Sequence, residues 1–449
     1  MENLYNKASL VLTPQMVEAG KVYSMKPEDR KGDFTFSRST AATRVNADGN
    51  IEKETSNLLL QSNSFDTTWL NSSSTETGGQ AGYDGSSDAW LLSKTAASGR
   101  INQSVSLSGV QTLSIYAKAG TLNWLRLITI GGTTSSTYYD LENGVIGANI
   151  SSIDTNIESV GNGWYRCIVT TNQPLTEVRI YPADGNNDTS GTSGNILIQS
   201  AQLETGLCST DYLNSTSTTG KSGVLIDLPR INYDANGENG ALLLEPSRQQ
   251  LIPQSEYFGA WTLANSSLVA NAITSPEGVS NAYKIVENTA LGAHAVYLNN
   301  VFTADGTYKT ASVFVKAAER TFCAISTRGS FGSSDKVLIF NLTTGEWAVN
   351  GSNQNTGLEA EDFGNGWWRI VLNTNTTSAA YDSFIVGAAI AGDTWADAEY
   401  TGDGTSGIYI FGAMVEPNAT YATSYIPNHS GTGGVTRAAD SCSVTGASD

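Results

Sequence analysis

Along most of the chain, apolar and polar residues alternate with period two over short runs, the pattern of half-buried strands. Leu113-Ser114-Ile115-Tyr116-Ala117-Lys118 puts Leu, Ile and Ala on one face and Ser, Tyr and Lys on the other. Ala311-Ser312-Val313-Phe314-Val315-Lys316 repeats that division, and Gly20–Ser24 and Phe34–Ser37 alternate in the same way. Helical periodicity is nearly absent, with only Glu359–Asp362 and Ala379–Asp382 hinting at a turn. Asn162-Gly163 and Asn365-Gly366 each fall between strand-like runs. Asn-Gly suits a type I′ hairpin because both residues tolerate positive φ. Short strands, Gly and Asn turns and scarce helix predict an all-β chain of antiparallel β-sandwiches of jelly-roll type.

The pattern occurs twice. Gly161-Asn162-Gly163-Trp164-Tyr165-Arg166 returns as Gly364-Asn365-Gly366-Trp367-Trp368-Arg369, and Leu141-Glu142-Asn143-Gly144 as Leu342-Thr343-Thr344-Gly345. Gly191-Thr192-Ser193-Gly194 returns as Gly404-Thr405-Ser406-Gly407. Landmarks about 200 residues apart are too widely spaced for a solenoid, so the repeated unit is a domain. The expected division is an N-terminal attachment region over 1–56, module one over 57–215, a connector over 216–249, module two over 250–428 and a tail over 429–449. The basic N-terminal region looks too short to bury a core alone, so its apolar faces need an outside surface. Thr43–Asn50 resembles Pro229–Gly237 in the connector, and Val435–Val444 begins a third such stretch and stops abruptly. Growing spacing between landmarks places the insertions in module two.

Composition removes several functions. Of 449 residues, 39% are hydrophobic and 15% charged, with a net charge of −18, so a phosphate backbone is repelled and nucleic-acid binding is not expected. No apolar run reaches the 18 or so residues of a membrane helix, and no secretory signal is evident. Cys167, Cys208, Cys323 and Cys442 lack the spacing of a zinc site or a disulfide framework, which fits synthesis in a reducing cytoplasm.

Candidate chemistry is sparse. The chain has two histidines, His294 and His429, neither beside a nucleophile signature. Glu359, Glu361 and Asp362 cluster before the second hairpin, where a solvated surface explains them. Asp184–Asp188 and Asp403–Gly407 are oxygen-rich loops able to hold calcium, although turn formation explains both without a metal, and no cofactor is expected. Trp164 and Trp367 recur two residues before Arg166 and Arg369, which suggests shared core or cation–π packing. Trp69 and Trp261 recur at the module entrances and are read as structural. Trp124, Trp347 and Trp395 have no aromatic counterpart at the matching place in the other copy, which makes them the candidates for glycan contact.

Several stretches resemble bacteriophage virion proteins of tail fibres, head fibres and other surface appendages. They are Ser37–Asn46, Asn57-Leu58-Leu59 with Phe65 and Trp69, Pro229–Tyr233 with Ala241–Pro246, the paired hairpins, Tyr400–Gly407 and Thr436–Asp440. The resemblance implies a carbohydrate-binding-module-like jelly roll and a place on the virion surface after synthesis in the host cytoplasm. The expected protein is a non-enzymatic fibre or appendage component with tandem glycan-binding-like modules for adhesion. Its expected partners are capsid, neck or tail proteins, cell-surface glycans, and sister chains in a homo-oligomer, by analogy a trimer. A purely structural or decorating fibre is the alternative, and a polysaccharide depolymerase the third reading.

Overall fold

A computed structural model describes residues 17–23, 34–301, 305–327, 337–349, 355–375 and 383–443. Of the stretches expected to turn, Ala379–Asp382 lies outside them. The chain divides into two compact units. One comprises Thr55–Ser222 and His429–Thr432. The other comprises the described residues up to Glu54, Gly223–Asn428, and those from Gly433 onward. The expected N-terminal region up to Glu54 and the expected connector from Gly223 onward therefore share a unit with module two.

The first unit is a sandwich of two six-stranded antiparallel sheets. Across one sheet run Val145–Ile150, Thr134–Asp140, Trp124–Gly131, Leu175–Ala183, Arg100–Leu107 and Leu70–Ser72. Across the other run Asp154–Gly161, Trp164–Asn172, Val110–Ala119, Gly194–Thr205, Ala89–Lys94 and Ser74–Gln80. Successive strands cross repeatedly from sheet to sheet, which gives the jelly-roll order. Alternate residues meet in the middle, where Leu113, Ile115, Leu125, Leu127, Val169 and Ile180 are buried.

The second sandwich has the same order strand for strand. One sheet runs through Glu346–Val349, Leu338–Asn341, Phe322–Ser326, Phe384–Ala389, Leu291–Leu298 and Thr262–Ala264, with Glu399–Thr401 added beside Leu291–Leu298. The other runs through Asn355–Asp362, Trp367–Asn375, Tyr308–Ala317, Gly407–Pro417, Ala282–Glu287 and Ser266–Ile273. The duplication read from short signatures is thus one topology built twice.

The signatures themselves are turns and the rings that cover them. Asn162 and Gly163 have φ of 52° and 77°, and Asn365 and Gly366 have 51° and 79°, the two positive values a type I′ turn requires. In the Leu-x-x-Gly turns, a Cβ on Gly144 would lie 2.6 Å from the Tyr165 ring and one on Gly345 2.2 Å from the Trp368 ring. The aromatic after each hairpin tryptophan therefore lies on the glycine of the other signature. Only a residue without a side chain fits beneath it. Each hairpin arginine reaches across the sheet: Arg166 donates to Ser114 Oγ and Arg369 to Ser312 Oγ, at 3.1 and 3.2 Å.

The connector motifs meet inside the second unit. Asp440 Oδ1 accepts from Arg38 at 3.0 Å, and its other oxygen accepts from Arg230. Arg230 and Arg437 both donate to Glu245, at 2.8 and 2.6 Å. The side chains of Arg38, Arg230 and Asp440 are fully buried. Carbonyls of Leu225, Leu228, Thr43 and Pro246 take further guanidinium N–H groups, whereas the buried Nε of Arg230 and of Arg437 has no partner among the described residues. Removing one member of such a buried pair strands the other charge, at a cost of about 3–5 kcal/mol.

Two of the repeated stretches also pair symmetrically. Each is a small hairpin, Arg44–Val45 with Ile51–Glu52 and Arg230–Asn232 with Ala241–Leu243. A Cβ on Gly49 would meet the Ala235 carbonyl at 2.2 Å, and one on Gly237 would meet the Ala47 carbonyl at 2.0 Å. The N-terminal stretch is not a separate foot. Its apolar Val45 and Ile51 pack with Phe314, Phe363 and Trp367 on the outer face of a module-two sheet. The tail residues pair as well: Val435–Arg437 with Arg248–Gln250, and Ser441–Ser443 with Phe34–Ser37.

Candidate functional site

The recurrent tryptophans are core. Trp69, Trp164, Trp261 and Trp367 are all buried. Trp69 Nε1 donates to the Gln61 carbonyl at 3.2 Å and Trp367 Nε1 to the Thr274 carbonyl at 3.1 Å. The cation–π partner of each hairpin arginine is not its neighbouring tryptophan. Arg166 lies over Tyr116 and Arg369 over Phe314, each 5.5 Å from the ring centroid. A strand places residues i and i+2 on one face, but the closest contact is with the residue directly across the sheet, and that pairing is invisible in a linear string.

The three candidate tryptophans occupy different settings. Trp124 lies opposite Asp140 and Ala183, and in the second unit Phe322 lies opposite Asn341 and Ala389. Asp140 and Asn341 both open the Leu-x-x-Gly turns, so Phe322 is the aromatic counterpart that Trp124 was expected to lack. Trp347 packs edge-on against the buried Phe340, 5.1 Å between centroids, and its Nε1 has no hydrogen-bond partner among the described residues. Trp395 opens a short 3₁₀ turn, Trp395–Ala398, capped reciprocally by Thr394 and Asp397. The three are not brought together into one site.

Trp124 belongs to a larger constellation on the outer face of its sheet. Leu125 and Leu127 point into the core, so Trp124, Arg126 and Ile128 point outward. Tyr138, Arg126 and Tyr181 lie directly opposite one another on three adjacent strands. The Arg126 guanidinium is 5.0 Å from the Tyr138 centroid and 5.4 Å from that of Tyr181, and Arg100 covers Tyr181 from the next strand at 5.6 Å. Both tyrosines are buried, whereas Trp124, Arg126, Arg100 and Arg179 stay partly exposed. Burial raises the affinity of the Tyr138 hydroxyl for its proton, opposed by Arg126. Arg126 Nε donates to Ser136 Oγ at 2.9 Å. Arg179 is held by Glu177 through two contacts of 3.0 and 2.9 Å. Sequence analysis found Trp124 but missed the arginines and tyrosines, although period-two alternation already put Trp124 and Arg126 on one face.

The matching face of the second unit is closed. Ala324 stands at the Arg126 position, with Ile339 and Gly387 opposite it where Tyr138 and Tyr181 would be. Ala295 replaces Arg100 and lies opposite Gly387. A Cβ on Gly387 would already press to 2.6 Å from that of Ala295, so no tyrosine fits. Ala295, Ala324, Ile339, Ile385, Ala389 and Ala398 form an apolar cluster against which Trp395 packs. The turn carrying Trp395 thus roofs the face that module one leaves partly exposed.

The oxygen-rich loops are turned inward on side chains. Lys94 Nζ is 2.6 Å from Asp184 Oδ2 and donates to the Thr189 carbonyl at 3.2 Å, so an ammonium meets the carboxylate of that loop. Asp403 accepts from the Ser406 hydroxyl and from the Ser406 and Thr405 amides, and these bonds hold its carboxyl well below the usual range. Among the described residues, no three His, Cys, Asp or Glu side chains gather as a metal site. Asp362 caps the Gly364 amide at 2.8 Å, and Glu361 lies across from Arg369 in the sheet. His294 is buried, with its ring nitrogens 2.7 Å from the Asn265 carbonyl and 3.0 Å from that of Tyr400. Cys167 and Cys323 are buried on strands, and burial pushes both thiols up.

No family model matches the chain, and no curated protein is significantly similar to it. Among solved structures, the chain is similar to the N-terminal CBM22-1–CBM22-2 tandem domain of Xyn10C from Paenibacillus barcinonensis. The identity is 11% over 80% of this chain and 97% of that one, with a TM-score of 0.25.

Proposed function

We propose that this is a non-enzymatic surface protein of a bacteriophage virion, a fibre or appendage component, whose module one contacts glycans of a host or environmental surface. The observation that carries the glycan reading is the outward row of Trp124, Arg126 and Tyr181 beside Tyr138 and Arg100. An aromatic face stacks on the apolar side of a sugar ring, while flanking polar groups fix its hydroxyls. The virion assignment rests on the resemblance carried by the connector motifs, and so do a trimeric assembly and partners in capsid, neck or tail. The two modules differ in role: module one binds, and module two, with its roofed face, supports. That closed face also favours the second reading, a decorating fibre that binds nothing.

A glycan array on the purified full chain tests the adhesive reading. Binding that falls about tenfold or more in Trp124→Ala, on the scale of one lost aromatic anchor, is the expected result. A blank array favours decoration. Release of new reducing ends from host capsule or lipopolysaccharide would favour a depolymerase. Immunogold labelling of intact phage particles tests the location, and particles without label would remove the virion assignment.

A further inference from the structure

We infer that the module-one face selects acidic polysaccharide, a saccharide polymer carrying carboxylate, sulfate or phosphate groups. This inference rests on the glycan-binding reading of the same face and adds the charge of the ligand. Residues 55–222 hold seven Lys and Arg against thirteen Asp and Glu, yet Arg100, Arg126 and Arg179 share one sheet face. Glu177 neutralises Arg179. Arg100 and Arg126 have no carboxylate partner among the described residues: Arg126 makes one hydrogen bond, to Ser136, and the Arg100 Nε is buried without any.

The geometry leaves their donors usable. A guanidinium stacked on an aromatic ring spends its flat face on the ring and keeps its in-plane N–H groups for an anion. Tyr138, Arg126, Tyr181 and Arg100 follow one another across four neighbouring strands. The two unpaired cations are therefore two strands apart, about 9–10 Å at the usual strand spacing. Such a spacing suits a polymer with a repeated charge, lying across the strands, better than a single small anion. Nearby acids are occupied. Asp140 accepts from the amides of Glu142 and Asn143, and Asp188 from that of Ser190. The net negative charge of the chain opposes any polyanion, but screening confines both that repulsion and the attraction of the two cations to within about 8 Å at physiological salt, so the local cations decide.

The test uses the full chain on an array of neutral, uronic-acid, sulfated and phosphorylated polysaccharides, with carboxyl-reduced forms of the uronic polymers and with poly-L-glutamate as a non-sugar polyanion. Binding confined to acidic polysaccharides supports the inference, and the arms show which anion is taken. Affinity should fall steeply with added salt in the unmodified protein, a readout that needs no variant. Arg126→Gln and Arg100→Gln should each weaken binding about tenfold, the scale of one charged hydrogen bond, with Arg126→Lys intermediate. Equal binding of the carboxyl-reduced polymers overturns the acidic preference and leaves the glycan reading standing. Equal binding of poly-L-glutamate overturns the need for a sugar. A blank array overturns both readings.

Discussion

Single residues fix this fold mainly where the backbone needs a positive φ. At Gly163 and Gly366 the φ values are 77° and 79°, and a Cβ there would meet only the flexible side chains of Lys118 and Lys316, at 3.5 and 3.6 Å. Space is therefore not the obstacle. Valine at either position is expected to destabilise its own sandwich by about 1–3 kcal/mol through backbone strain alone. Urea denaturation of the two variants checks this, and parental midpoints for both would mean that the turns relax to another type. Gly144 and Gly345 lie under aromatic rings and make a contrast, since there a side chain meets both strain and a clash.

Pairing between elements is governed by charge where the connector stretches meet. Burial works against the charge of Glu245, but Arg437 and Arg230, with the Ser424 hydroxyl and amide, hold its carboxyl below the ordinary range. A folded-state value below the unfolded one, about 4.3, means the carboxylate adds stability in full above that value. The contribution fades as pH falls through the lower, folded value. Glu245→Gln should consequently destabilise the second unit by about 3–5 kcal/mol near neutral pH, through stranded arginines. The gap between variant and parent should narrow only in acid below about pH 4. Opposing shifts, such as the raised Glu277 and Glu416, cancel in that difference because both proteins carry them. A gap unchanged down to pH 2–3, measured by chemical denaturation, would show that Glu245 does not carry its charge in the cluster.

For the whole molecule, the N-terminal stretch acts as part of the second unit. Arg38, Val45 and Ile51 contribute to its ion cluster and its apolar surface. Deleting residues 1–54 is expected to remove the unfolding transition of the second unit and to leave that of Thr55–Ser222. Calorimetry separates the two transitions. Two undisturbed transitions after the deletion would show that the stretch is an accessory.

The local pattern determined that this chain is two β-sandwiches of one design. Alternation, paired Asn-Gly turns and repeated glycines act between near neighbours in sequence, so a linear reading reaches them. The same reading recognised Trp69, Trp164, Trp261 and Trp367 as structural because duplicated folds share their core. Cross-strand partnership lay beyond it. Arg126 meets Tyr138 and Tyr181 only when three strands fix their register, and Phe322 is seen to match Trp124 only through Asp140 and Asn341. The union of Arg38, Arg230, Glu245, Arg437 and Asp440 joins residues up to 402 positions apart, and no periodicity encodes such a contact. Tertiary structure likewise decided which face stayed open: two modules with one strand order differ in the cover of one sheet face because a short insertion laid Trp395 over one of them. Hydrogen-bond geometry is local and repeats with the sequence, whereas burial depends on what the rest of the chain places on top.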